Sequence, residues 1–180
     1  SDLLRPETVI VFHDGFRLLR WGGWFRRAGM RNVMLDTHQY LIAMEDPLFS
    51  GPARRLYLRS RRLPWLYRML VGASSIAIRS AARRIPVLVG EWCVENQWAL
   101  HSQNRSAAYR QVSRLQRAAW DVSAGQIYWS YQLARSAKPG SGEGKSPRDP
   151  RNGGNLEAWD LTRVWRHGWI RADTSHDDVP

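Results

Sequence analysis

Residues 86–92 read PVLVGEW and residues 32–40 read NVMLDTHQY. Each is a short run of aliphatic residues that ends in groups able to donate, accept or exchange a proton. Runs of this length, bounded by Pro or Asn, read as the buried strands of a parallel sheet, which carry near-continuous apolar sequence. Two more runs share the pattern: 8–12, followed by His13 and Asp14, and 126–129, followed by Ser130. The strands predicted are therefore 8–12, 32–35, 87–90 and 126–129. All four hand over polar residues at their C-terminal ends, and in a parallel sheet those ends share one rim.

Between the strands the period changes. Ala108, Val112, Leu115 and Ala119 form an i, i+4, i+7, i+11 stripe, and Arg105, Arg110, Arg114 and Arg117 fall on the other side, which predicts an amphipathic helix. A shorter helix is expected over 17–28, broken at Gly22 and Gly23. One or two basic helical pieces are expected over 54–84, interrupted at Pro64 and Gly72, and a closing helix over 156–165. The order is β, α, β, α. Four strands with crossovers are half of an eight-stranded β/α barrel, which takes about 250 residues. A chain of 180 residues is then either a compact open α/β domain or the C-terminal half of such a barrel.

Composition narrows the function classes. Apolar residues make up 43% of the chain, with ten tryptophans, which is ample material for a core and excludes a disordered linker. A single cysteine, Cys93, excludes an internal disulfide and a thiolate-built zinc site. The net charge of +11 comes from 27 basic residues, of which only Lys138 and Lys145 are lysines. The arginines are spread along the chain in local pairs and accompany no nucleic-acid motif, so they read as solvated helix faces and no nucleic-acid partner is expected. The longest apolar candidate, 69–78, is too short to cross a bilayer, so no membrane span is expected. Residues 139–146, PGSGEGKS, approach a phosphate-binding loop, but Pro139 replaces its first glycine, and Pro147 and Pro150 forbid the helix that must follow. His101, His167 and His176 lack partners at helical spacing, so neither a metal nor a cofactor is expected. Ser1 in place of methionine, with no signal pattern over 1–7, suggests that the natural start lies upstream, and the compartment stays open.

Taken in series, VFHDGF (11–16), NVMLDTHQY (32–40), PVLVGEW (86–92) and GQIYWSYQL (125–133) resemble strands five to eight of family 5 glycoside hydrolases. The likeness is nearest to the exo-β-1,3-glucanase branch. It spans about residues 7–170, whereas the long connection 43–85 and the polar tail 172–180 match nothing in that family. The resemblance implies that residues 1–171 are the C-terminal half of a (β/α)8 TIM barrel. It also implies that the parent enzyme hydrolyses β-glucans or β-glucosides with retention and without a cofactor. By the same resemblance Glu91 is the nucleophile, and Tyr40 orients it through a phenol hydrogen bond expected at about 2.5–3.0 Å. His38 shares the rim with Tyr40, and Trp129 floors a sugar subsite; His13 and Phe16, which with Asp14 follow strand five, either contact substrate or only orient their loop. The remaining tryptophans, Trp21, Trp24, Trp65, Trp120, Trp159, Trp165 and Trp169, are expected to pack in the core or between helices.

One departure from the family matters most. A retaining glycosidase needs a second carboxyl about 5–5.5 Å from the nucleophile to protonate the leaving oxygen. In this family it is the glutamate of an Asn-Glu-Pro motif on the fourth strand, and no such motif occurs here. Glu7 is followed by Thr8, and Glu45, Glu95, Glu143 and Glu157 match no acid/base position. The expectation is a fragment whose partner is the missing N-terminal half barrel, and whose open sheet edges favour association. The alternative is a non-catalytic carbohydrate-binding half-barrel or degenerate homologue.

Overall fold

The computed structural model describes residues 5, 7–45, 63–133 and 156–171. Four strands, β1 (Ile10–His13), β2 (Val33–Gln39), β3 (Val87–Trp92) and β4 (Gly125–Tyr128), pair in chain order, and every pair is parallel. The connections carry helices α1 (Leu18–Arg27), α2 (Leu41–Glu45), α3 (Leu63–Ala82), α4 (Gln97–His101) and α5 (Arg105–Trp120). A 3-10 turn (Leu156–Trp159) and helix α6 (Leu161–Arg166) follow β4. The chain is thus an α/β protein with a parallel sheet. The connection 46–62, the loop 139–146 with Glu143, and the tail 172–180 with His176 lie outside the described residues.

Strand alternation sorts the side chains onto two faces. Val33, Leu35, Val87, Val89 and Trp92 are buried on one face beneath the helices. There Tyr67, Val71 and Ile78 of α3 and Tyr109, Val112 and Trp120 of α5 complete the core. Phe12, Phe25 and Ile85 close its other end. Full burial of a side chain such as Leu35 contributes about 2 kcal/mol. The other face carries Val11, Met34, Asp36, His38, Leu88, Glu91 and Ile127, and among the described residues no helix covers it. Val11 and Ile127 are accordingly about half exposed, at 50% and 52%. The apolar runs therefore do not mean burial on both faces in this chain.

Several element boundaries differ from the sequence expectation, each for a local reason. Strand β2 runs four residues past Leu35, because its polar inward residues find partners: Gln39 donates to the Thr37 hydroxyl (2.9 Å), which donates to Asp14 (2.8 Å). Satisfied in this way, polar side chains continue a ladder that apolar patterning ends early. Helix α1 passes through Gly22 and Gly23 without a break, and α3 is one helix through Gly72. Pro64 sits in the first turn of α3, where a missing N–H breaks no intrahelical bond. Trp120 and Trp169 are buried as expected, whereas Trp24, Trp65 and Trp165 are exposed.

The expected closing helix is interrupted at Asp160. This residue is buried and has an extended backbone, and one carboxylate oxygen accepts from the Arg163 N–H (3.1 Å) and the Thr162 hydroxyl (2.6 Å). The other oxygen accepts from the Leu133 N–H (3.1 Å) and faces the Arg163 guanidinium (3.2 Å). Burial acts to raise its pKa, but these hydrogen bonds and the nearby Arg163 charge together lower it below the ordinary value. A carboxyl depressed on folding stabilises the fold above its unfolded pKa, and that stability is lost as pH falls through the folded value. Asp160→Ala is expected to cost about 1–2 kcal/mol near neutral pH. The gap from the parent should close as denaturation midpoints are measured below about pH 4.

Candidate active site

The C-terminal rim of the sheet gathers its functional groups by register. Asp36 lies opposite His13, and His38 lies opposite Glu91. Strict alternation along β3 would send Glu91 to the helix-covered face with Val87 and Val89. An extra residue at Gly90 prevents this: Thr37 pairs with Val89, but His38 pairs with Glu91, so the register shifts by one. A β-bulge re-aims the next side chain, and here it turns Glu91 onto the open face beside His38.

Two side chains then meet at one carboxylate oxygen of Glu91. The Tyr40 hydroxyl donates to Glu91 Oε2 at 2.6 Å, and His38 Nδ1 lies 3.1 Å from the same oxygen. Burial, then the hydrogen bond and charge of Glu91, push the Tyr40 phenol well above its ordinary pKa and keep it a donor. The other nitrogen of the His38 ring lies 3.1 Å from Asp36 Oδ2. Among the described residues Glu91 Oε1 accepts no hydrogen bond.

His13 packs against His38, with ring centroids 4.3 Å apart and the planes tilted by 57°, and Phe16 stands edge-on to His13 at 5.2 Å. Phe16 is 75% exposed and sits, like Gly15, at a left-handed φ of 59°, an uncommon conformation for a side chain other than glycine. The loop is held in this form by buried Asp14, which accepts from the Phe16 N–H (2.7 Å) and through its carbonyl from the Trp21 indole (2.7 Å). Asp14 is therefore a structural residue beneath the rim, while Phe16 projects above it.

Trp129 follows β4 at the same rim. Its N–H donates to the Trp92 carbonyl (2.8 Å), its side chain is 48% exposed, and the peptide to Ser130 is cis. Alternation from Tyr128, which pairs with Trp92 on the covered face, directs it to the open one. The six residues expected from sequence thus all lie at this rim. Glu91, Tyr40, His38, His13 and Phe16 form one connected group, and Trp129 flanks it.

Two residues at the site were not expected. Asp36 is part of the NVMLDTHQY motif, and its position two residues before His38 on a strand was a usable signal. Trp159 stacks on Tyr40 at 5.1 Å, and its carbonyl accepts from the Ser130 N–H (2.7 Å). No local pattern marks it, because it reaches the rim across the segment that follows β4. A cleft of about 570 Å³ opens at the opposite end of the strands between Met30, Arg31, Asn32 and Arg84. It includes none of the rim residues, which lie instead on an uncovered face.

Among the described residues no group of three or more His, Cys, Asp or Glu side chains is arranged to hold a metal ion, and no helix is long and apolar enough to cross a membrane. Compared with models of protein families and with curated protein sequences, the chain matches none.

Proposed function

We propose that this chain is the C-terminal half of a retaining β-glycosidase barrel of the family 5 type, with Glu91 as its nucleophile. The observation that carries the reading is the double contact on one oxygen of Glu91, from Tyr40 (2.6 Å) and His38 (3.1 Å). Donors on Oε2 favour the ionised carboxylate and fix its rotation, which leaves Oε1 to attack the anomeric carbon from the open face. The substrate is a β-glucan or β-glucoside. Trp129 and Phe16 offer apolar faces to the C–H side of a pyranose, and His13 and His38 offer ring nitrogens to its hydroxyls.

The acid/base carboxyl belongs to the preceding half of the barrel. Glu45 and Glu95 are buried, Glu157 lies 3.2 Å from His167, and Glu7 precedes β1 at the far end of the strands. That distribution also favours a second reading, a carbohydrate-binding homologue with no acid/base at all. The discriminating experiment uses the parent protein, this chain together with the half that precedes it. Hydrolysis of an aryl β-glucoside with the β-anomer as first product, followed by NMR, is the expected result. Saturable glucan binding without hydrolysis would establish the binder instead.

A further inference from the structure

We propose that Asp36 is a positioning residue that fixes Glu91 through the His38 ring, and that residue 90 is glycine to leave room for it. The assignment rests on the reading of Glu91 as nucleophile. The His38 ring spans two carboxylates, with Nε2 3.1 Å from Asp36 Oδ2 and Nδ1 3.1 Å from Glu91 Oε2. A half-turn of the ring would replace both nitrogens by carbons and lose both contacts. Asp36 therefore selects the ring orientation that presents Nδ1 to Glu91. An ionised carboxylate only accepts, so both contacts are hydrogen bonds when each ring nitrogen carries hydrogen.

Asp36 is itself placed by the bulge. A Cβ on residue 90 would lie 1.9 Å from Asp36 Oδ1 and 2.6 Å from its Cγ, so the carboxylate occupies the space a side chain would need. Oδ1 is buried and has no hydrogen-bond partner among the described residues. A buried acceptor left unpaired is unfavourable for stability alone and calls for another explanation. Here the second oxygen, on His38, supplies one. The His13 ring, 4.3 Å away, packs against the His38 ring. With hydrogen on Nδ1, two donors engage Oε2, and the free Oε1 becomes the attacking atom. In the step it serves, Oε1 bonds to the anomeric carbon as the bond to the leaving group breaks, and the leaving group departs with that electron pair.

Two variants of the parent protein test this, Asp36→Asn and Gly90→Ala. The first removes the charge and keeps the shape; the second displaces the carboxylate and keeps its charge. The first measurement is the long-range proton–nitrogen NMR spectrum of the histidine rings. Both variants should shift the His38 ring nitrogens and expose its Nε2 proton to exchange, while His101 and His167 keep their signals and so report an intact fold. The second measurement is covalent labelling of Glu91 by an activated 2-deoxy-2-fluoro-β-glucoside, whose leaving group needs no acid. The maximal labelling rate should fall about 10-fold to 100-fold, with the half-saturating concentration unchanged. Unmoved His38 signals in both variants would overturn the proposal, as would shifted signals with labelling at the parent rate. A parent protein that cannot be labelled at all counts against Glu91 as nucleophile, and the ring signals then still decide whether Asp36 holds His38.

Discussion

Glu91→Gln in the parent protein is expected to abolish turnover of an aryl β-glucoside, with a loss of about 10⁴-fold or more, the scale on which removing a nucleophile acts. The amide keeps the size of the side chain and can still accept the Tyr40 hydrogen bond. What it loses is the negative charge and the electron pair that forms the glycosyl ester. On the proposed reading the sugar contacts come from the surrounding rings, so substrate affinity should change little and the effect should fall on kcat. External azide provides a sharper check. If Glu91 attacks the sugar, a smaller Glu91→Ala side chain leaves space for azide, which should restore turnover and give a glycosyl azide of inverted configuration. A Glu91→Gln protein with parental kcat would remove Glu91 from the mechanism.

The largest expected effect on stability comes from Glu45. This carboxylate is fully buried at the end of α2, where it accepts from the Tyr67 hydroxyl of α3 and from the Gln97 N–H (2.8 Å) that begins α4. The Tyr67 hydroxyl in turn accepts from the Trp98 N–H at 3.0 Å. Burial, then the charge and hydrogen bond of Glu45, drive the Tyr67 phenol far above its ordinary pKa, so it remains a donor at any physiological pH. Helices α2, α3 and α4 thus meet at one side chain. Glu45→Ala strands two buried donors and opens a cavity, and about 2–5 kcal/mol of stability should be lost. For a chain of this size that is a fall in Tm of roughly 5–15 °C, measurable by calorimetry. Glu45→Gln, which keeps an acceptor for one of the two donors, should lose less. An unchanged Tm in Glu45→Ala would show that the network adds nothing to the fold.

Glu45 also illustrates what the sequence concealed. In the sequence it is one glutamate in an unfamiliar connection, and nothing within ten residues of it names Tyr67 or Gln97 as partners. Trp159 is similar: as one tryptophan of ten it carries no signal, and only the path of the chain after β4 brings it onto Tyr40. Asp36 is the intermediate case, since its spacing to His38 was visible while its second contact, with the bare Cα of Gly90, was not.

The sequence by itself determined the class of fold and the rim at which the candidate residues lie. Four apolar runs, each closed by polar groups and separated by helical periods, are enough to give a parallel sheet with polar groups along one rim, because side-chain period and chain direction are local properties. The choice of His13, Phe16, His38, Tyr40, Glu91 and Trp129 as candidates rests instead on the resemblance to family 5 glycoside hydrolases, and the structure places all six at that rim. The tertiary structure alone decided which face of the sheet Glu91 joins. Its orientation depends on one extra residue at Gly90, a shift in register against β2 that exists only once two strands pair. The Asp36 carboxylate fills the space a side chain at residue 90 would need, a juxtaposition of residues fifty-four positions apart that no periodicity along the chain can encode.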